Sequence, residues 1–180
     1  MAVNIFAVFT PAGSNTPKIV GESLNEAYKG RPGAVLELSS FSMGAENKLT
    51  IGSATGGAGA GKATFNPVEI VHAVGSASPG LFLTMCMGGH FETVSFEFVT
   101  SGGPKGKQNK PYYIVNCKFV AISKIEQSVG TGDDTLMETI TLQCGAIQVS
   151  YTPSDPAGKM GAPVTAAWSA VRNTSSFDVQ

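Results

Sequence analysis

Residues 137–151, METITLQCGAIQVSY, decide the fold. Ile140, Leu142 and Cys144 hold one phase of a period-two alternation, while Ile147, Val149 and Tyr151 hold the other. Such alternation reads as a strand with one face in a core. The exchange of faces across Gly145-Ala146 predicts a β-bulge, because one extra residue turns every later side chain over. Upstream, beyond the turn residues Gly130-Thr131-Gly132-Asp133-Asp134, the stretch 112–122 (YYIVNCKFVAI) alternates too, with Tyr113, Val115, Cys117, Phe119 and Ala121 on one face.

The same period extends outward in both directions. Val94, Phe96 and Phe98 alternate with polar neighbours, and 64–74 places Val68, Ile70 and Val74 on one face, with His72 among them. Pro67 cannot donate to a ladder, so it belongs at a strand start or an edge. Residues 34–43 (AVLELSSFSM) read as a strand, as do Val3, Ile5, Ala7 and Phe9. Val164 to Val171 reads as the last strand and carries the one tryptophan, Trp168. One helix interrupts the pattern. Ser78 can cap it, Pro79 suits its first turn, and Gly88-Gly89 ends it. Leu81, Phe82, Met85 and Cys86 form the predicted apolar face. Some seven to nine strands with one short helix over about 79–87 make a closed or nearly closed β-barrel the economical fold, in one domain spanning 1–180.

Composition narrows the function classes. Charged residues are 14% of the 180-residue chain, well below the roughly 25% usual in soluble proteins. That deficit points to surface covered by partners. Twelve Lys and Arg against 13 Asp and Glu leave a net charge of −1, which argues against a phosphate-backbone binder and removes a barrier to self-association. Cys86, Cys117 and Cys144 are odd in number and lack CxxC spacing, as reduced thiols of a cytosolic protein would be. The start lacks a basic segment and a cleavage site, so no signal peptide is expected. No run approaches the roughly 18 apolar residues of a membrane span.

Gly56-Gly57-Ala58-Gly59-Ala60-Gly61-Lys62 fits G-x-x-x-x-G-K. A phosphate-binding loop needs Ser or Thr after the lysine and a helix beyond it. Ala63 takes that position and a strand pattern follows, so a long loop able to order on a partner is the better reading. Cys86 or Cys144 with His90 could form a Cys/His pair, but both thiols occupy apolar positions. Asp133-Asp134 lacks the alternating oxygen ligands of a calcium loop, and no His/Cys cluster exists for a metal. No catalytic, cofactor or metal residues are therefore assigned. Lys105, Lys107 and Lys110 blunt a loop or an edge. A soluble β-barrel module that binds a ligand or glycan remains the alternative, with Tyr112, Tyr113 and Trp168 as stacking aromatics.

Taken in order, these features resemble the haemolysin-coregulated protein (Hcp) family, the tube subunits of bacterial type VI secretion systems. The resemblance begins at Met1-Ala2-Val3 and continues through Phe41-Ser42-Met43-Gly44, similar to the family's aromatic–Ser–aromatic–Gly strand. It passes through the glycine tract ending in Gly61-Lys62, Ser78-Pro79, Met85-Cys86 and His90-Phe91. Its most specific stretch is Glu138-x-Ile140-Thr141-Leu142 with Ile147-x-Val149-x-Tyr151, and it closes with Trp168-Ser169 and Asn173. Departures are an N-terminal loop (10–33) longer than is common and Ser39-Ser40 in place of a more apolar pair.

The resemblance implies a fold similar to phage tail-tube proteins and a non-enzymatic role. It implies a homohexameric ring, with rings stacked into the inner tube that a contractile sheath drives outward. Implied partners are further copies of the chain, spike, sheath and baseplate proteins, and secreted effectors carried in the lumen, with neither nucleic acid nor membrane. Cytoplasmic residence before firing and an extracellular one after it follow, and no C-terminal toxin extension is expected beyond Val171. Ser42 resembles a lumen-facing position; an ordinary solvent-facing strand residue is the other reading. The glycine tract, with Gly56, Gly57, Gly59, Gly61 and Lys62, is the candidate contact loop between subunits or rings, since glycine permits close backbone approach.

Overall fold

The computed structural model describes residues 3–13, 17, 19–23, 25, 27–28, 31, 33–47, 62–100, 110–155 and 159–180. Among these described residues, ten strand segments and one helix follow in the order β1 (Val3–Pro11), β2 (Ala34–Leu38), β3 (Ser40–Ser42), β4 (Ala45–Asn47), β5 (Ala63–Phe65), β6 (Val68–Ala73), α1 (Ser78–Cys86), β7 (His90–Thr100), β8 (Tyr113–Ser128), β9 (Met137–Tyr151) and β10 (Val164–Ser169). The main sheet runs β2-β1-β7-β8-β9-β6-β3 with β10 attached to β9, while β4 and β5 form a separate ribbon. Its two ends are consecutive in sequence. Ser39 N donates to Val71 O at 2.7 Å between β2 and β3, so one bent strand over 34–42 brings the sheet round into a nearly closed barrel.

β9 makes both walls possible. Its first half pairs β6, from Val68↔Leu142 to Ala73↔Met137. Its second half pairs β10, from Trp168↔Ile147 to Val164↔Tyr151. The exchange of faces is present: Ile140 and Leu142 are buried, and so are Ala146 and Ile147. Its cause differs from the predicted bulge. The β8–β9 register keeps the same offset on either side of Phe119, with Lys118↔Ala146 before it and Val120↔Cys144 after it, and the register shift between these two strands falls between Ile122 and Lys124. Instead both strands turn together. Phe119, opposite Gly145 by this register, takes φ 53°, a left-handed conformation that is rare for a bulky residue. Cys117 and Val120 consequently both point inward, and Phe119 is exposed rather than on their face.

The helix also departs from expectation. Ser78 is its first residue and accepts from Gly75 N at 3.3 Å. Its buried residues are Ser78, Leu81 and Thr84, with Met85 packed on the core and Phe82 and Cys86 exposed. Thr84 can be buried because its hydroxyl donates to Gly80 O at 2.7 Å. Gly88, at φ 65°, ends the helix as expected.

The core gathers Phe9, Leu36, Val68, Ile70, Leu81, Phe91, Val94, Phe96, Ile140 and Leu142. Two carboxylates are buried with partners. Glu138 lies 3.0 Å from His72 Nε2 across the β6–β9 pair and accepts from Gln127 Nε2 at 2.6 Å. On the outer face of β1 and β7, Glu97 accepts from the Tyr28 hydroxyl at 2.9 Å and from Arg31 Nη1 at 2.6 Å. Tyr28 stacks on Phe6 with ring centroids 4.1 Å apart. Burial first, then the hydrogen bond to Glu97, holds the Tyr28 hydroxyl far above its ordinary value near 10.

Two stability outcomes follow. His72→Leu strands a buried carboxylate and lowers unfolding free energy by about 3 kcal/mol in urea melts, and adding Glu138→Leu recovers most of it, because both partners are then gone. The folded Tyr28 keeps its proton where the unfolded one loses it, so its contribution is complete below about pH 10 and falls as pH rises further. The advantage of the parent over Tyr28→Phe, about 1 kcal/mol at neutral pH, therefore narrows in melts above that pH.

Candidate functional site

β3 places Phe41 inward, tilted against Phe96 with centroids 4.8 Å apart. Strand alternation then turns Ser40 and Ser42 outward, and both are exposed. The ladder carries that outer row across four strands: Ser42↔Glu69, Glu69↔Thr141 and Thr141↔Lys124. A second row runs Ser40↔Val71, Val71↔Thr139 and Thr139↔Glu126. Lys124 Nζ meets Glu126 Oε2 at 2.8 Å, both well exposed. The outer face of β3, β6, β9 and β8 is thus largely polar. The family resemblance singles out Ser42 alone; Glu69, Thr141 and Lys124 join it only through the pairing.

The ribbon of β4 and β5 leaves this wall just after Ser42, with Ala45↔Phe65, Glu46↔Thr64 and Asn47↔Ala63 paired. Asn66 N donates to Gly44 O at 2.9 Å and closes its base. Gly56, Gly57, Gly59 and Gly61 lie outside the described residues; Lys62 is described, exposed, and immediately precedes β5. The residues after Lys62 form a strand and not the helix a phosphate-binding loop would open. Between the ribbon and β10 lies an apolar cleft of about 220 Å3, lined by Met43, Phe65, Ile147, Val149 and Trp168 among others. Among the described residues, the indole N–H of Trp168 finds no hydrogen-bond partner. Tyr113 does not join Trp168 in an open stacking platform, since its ring packs on Phe98 at 5.4 Å.

Both histidines are engaged by other side chains. His90 packs against Phe119 with centroids 4.7 Å apart, and His72 is engaged with Glu138. Among the described residues no three His, Cys, Asp or Glu side chains converge as a metal site would require, and no helix is long and apolar enough to cross a membrane. Hydrogen bonding to Cys144 and then burial push the Cys117 thiol well above the usual thiol range. Cys86 is exposed and Cys144 half-buried. Because the thiolate is the reactive form, a disulfide reagent should label Cys86 first in the native protein and Cys117 only on unfolding, and Cys86→Ser should remove the fast phase.

The family model described as "Type VI secretion system effector, Hcp" matches residues 13–151. Over 104 residues the chain is 27% identical to Protein hcp1 of Pseudomonas aeruginosa, and this match spans 57% of the chain and 62% of that relative's length. A solved structure of a type six secretion system protein superimposes with a TM-score of 0.81 at 26% identity, over 97% of this chain and all of that one (100%). Hcp1 from Salmonella typhimurium gives a TM-score of 0.71 at 19% identity over 97% and 99% of the two chains, a likeness of fold. The matched residues include the strand wall, the ribbon and the core residues from β2 to β9, and the chain belongs to the Hcp family of type VI secretion.

Proposed function

We propose that this chain is a structural, non-enzymatic subunit of a type VI inner tube. Six copies close into a ring through heterologous contacts, and rings stack and are exported. The observation that supports this most directly is the polar wall of β3, β6, β9 and β8, which suits a water-filled lumen. Ser42 would face that lumen, where effectors are held by polar contacts. Exposed apolar residues lie off that wall, including Phe82, Met87 and Val164, and supply surface for packing against copies, sheath, spike and baseplate. The β4–β5 ribbon carries the glycine tract, with Gly56, Gly57, Gly59, Gly61 and Lys62, toward a neighbouring subunit or ring. The protein resides in the cytoplasm until firing delivers it outside.

The apolar cleft beside Trp168 favours a second reading, a soluble barrel that binds a small apolar ligand. Light scattering after size-exclusion chromatography separates the two. A closed ring of six 18.6-kDa chains gives a particle of about 112 kDa, whereas a binding module elutes near the mass of one chain. Deleting residues 54–60 should leave the fold intact and abolish ring or stack; an unchanged assembly would remove the glycine tract from the contact.

A further inference from the structure

β2 and β6 are drawn together at Ser39 N and Val71 O, 2.7 Å apart, and part beyond that bond. Val35, Leu36 and Glu37 form one lip of the opening, and His72 to Ala77 form the other, around a cleft of about 170 Å3. β2 ends the strand order of the sheet, so its far edge is of the kind that pairs readily with a strand of another chain.

Five residues from the long N-terminal loop lie over this seam. Ile19 packs on the main core. Val20 O accepts from Ser76 Oγ at 2.9 Å, and Glu22 Oε1 accepts from Ser76 N at 3.3 Å. Gly21 rests on the backbone of β2: a Cβ there would collide with the Val35 carbonyl oxygen and stand 2.5 Å from the Val35 nitrogen. Glu22 and Ser23 complete the lining of the cleft. The segment is therefore fixed to both lips, by close backbone approach on one side and by hydrogen bonds on the other.

We propose that Ile19–Ser23 is a clasp that closes the barrel seam and shields the β2 edge from a second copy of the chain. A lifted clasp leaves the Val35 backbone open to strand addition. The test compares the parent with Gly21→Val, which cannot seat on Val35, and with Ser76→Ala, which removes one exposed hydroxyl. Hydrogen exchange of residues 34–38 should quicken by about tenfold in Gly21→Val, equivalent to about 1.4 kcal/mol of local opening, and by a smaller factor in Ser76→Ala. Exchange at 139–142 should keep the parent rate. Light scattering should show mass rising with concentration above that of the parent particle, whatever that particle is, so this proposal and the tube reading fail separately. Parent-like exchange at 34–38 overturns the clasp, as does faster exchange with unchanged mass. Should Gly21→Val also lose protection at 139–142, it has unfolded, and Ser76→Ala decides by the same two readings.

Discussion

The turn that β8 and β9 make together at Phe119 and Gly145 governs the rest of the structure. Two paired strands of 16 and 15 residues could extend as a flat ribbon with one buried face. Turning both at one level puts Ile122, Ile140 and Leu142 in the same interior as Val115, Cys117 and Ile147. One pair of strands thereby serves two walls. The left-handed conformation at Phe119 costs of the order of 1–3 kcal/mol, and the C-terminal tail is packed against this corner. A Cβ at Gly145 would stand 3.1 Å from Val179 and 3.3 Å from Val171, and Lys118 beside it reaches Asp178 at 3.4 Å. Backbone N–H groups of Gln180 and Val179, then Lys118, hold Asp178 below the usual carboxylate range.

With few charges to place, the chain uses them in distinct ways. Glu138 and Glu97 are buried and each has two partners, so they fix geometry where apolar packing alone would permit slippage. The exposed Lys124–Glu126 pair contributes little stability, and it keeps one sheet face wet. The low charged fraction of the chain, 14%, suits a surface partly covered by partners better than one wholly in water.

Strand existence was legible because the period-two pattern survives in 137–151, 112–122 and 64–74, and the resemblance ordered those pieces correctly. What escaped the sequence were decisions made by distant residues. The alternation through Tyr113, Val115 and Cys117 assigns Phe119 to the core, and only the partner strand's Gly145 shows why it leaves. Alternation in β1 singles out Val3, Ile5, Ala7 and Phe9, yet Phe6 and Val8 are buried as well, because Tyr28 returns to cover the other face. Nothing local in the loop announces that Tyr28 and Arg31 meet Glu97, 69 and 66 residues away. The inward face of α1 differs from the apolar pattern for a related reason: Thr84 satisfies its own hydroxyl within the helix and is buried where Phe82 is not. Ser42 entered through the resemblance alone, and it is the pairing of β3 with β6 that shows it exposed beside the inward Phe41.

The bent strand at 34–42 also has a consequence for synthesis. Its inner residues, with those of β1, belong to the interior that Ile140 and Leu142 complete, and the β6 strand that β3 pairs with is itself held by β9. While the chain emerges from the ribosome, the early strands wait with apolar side chains uncovered until the final quarter of the sequence is available. Closure is a late event, made by contacts between distant parts of the chain. The cell must therefore guard each nascent copy from its neighbours for nearly the whole of translation.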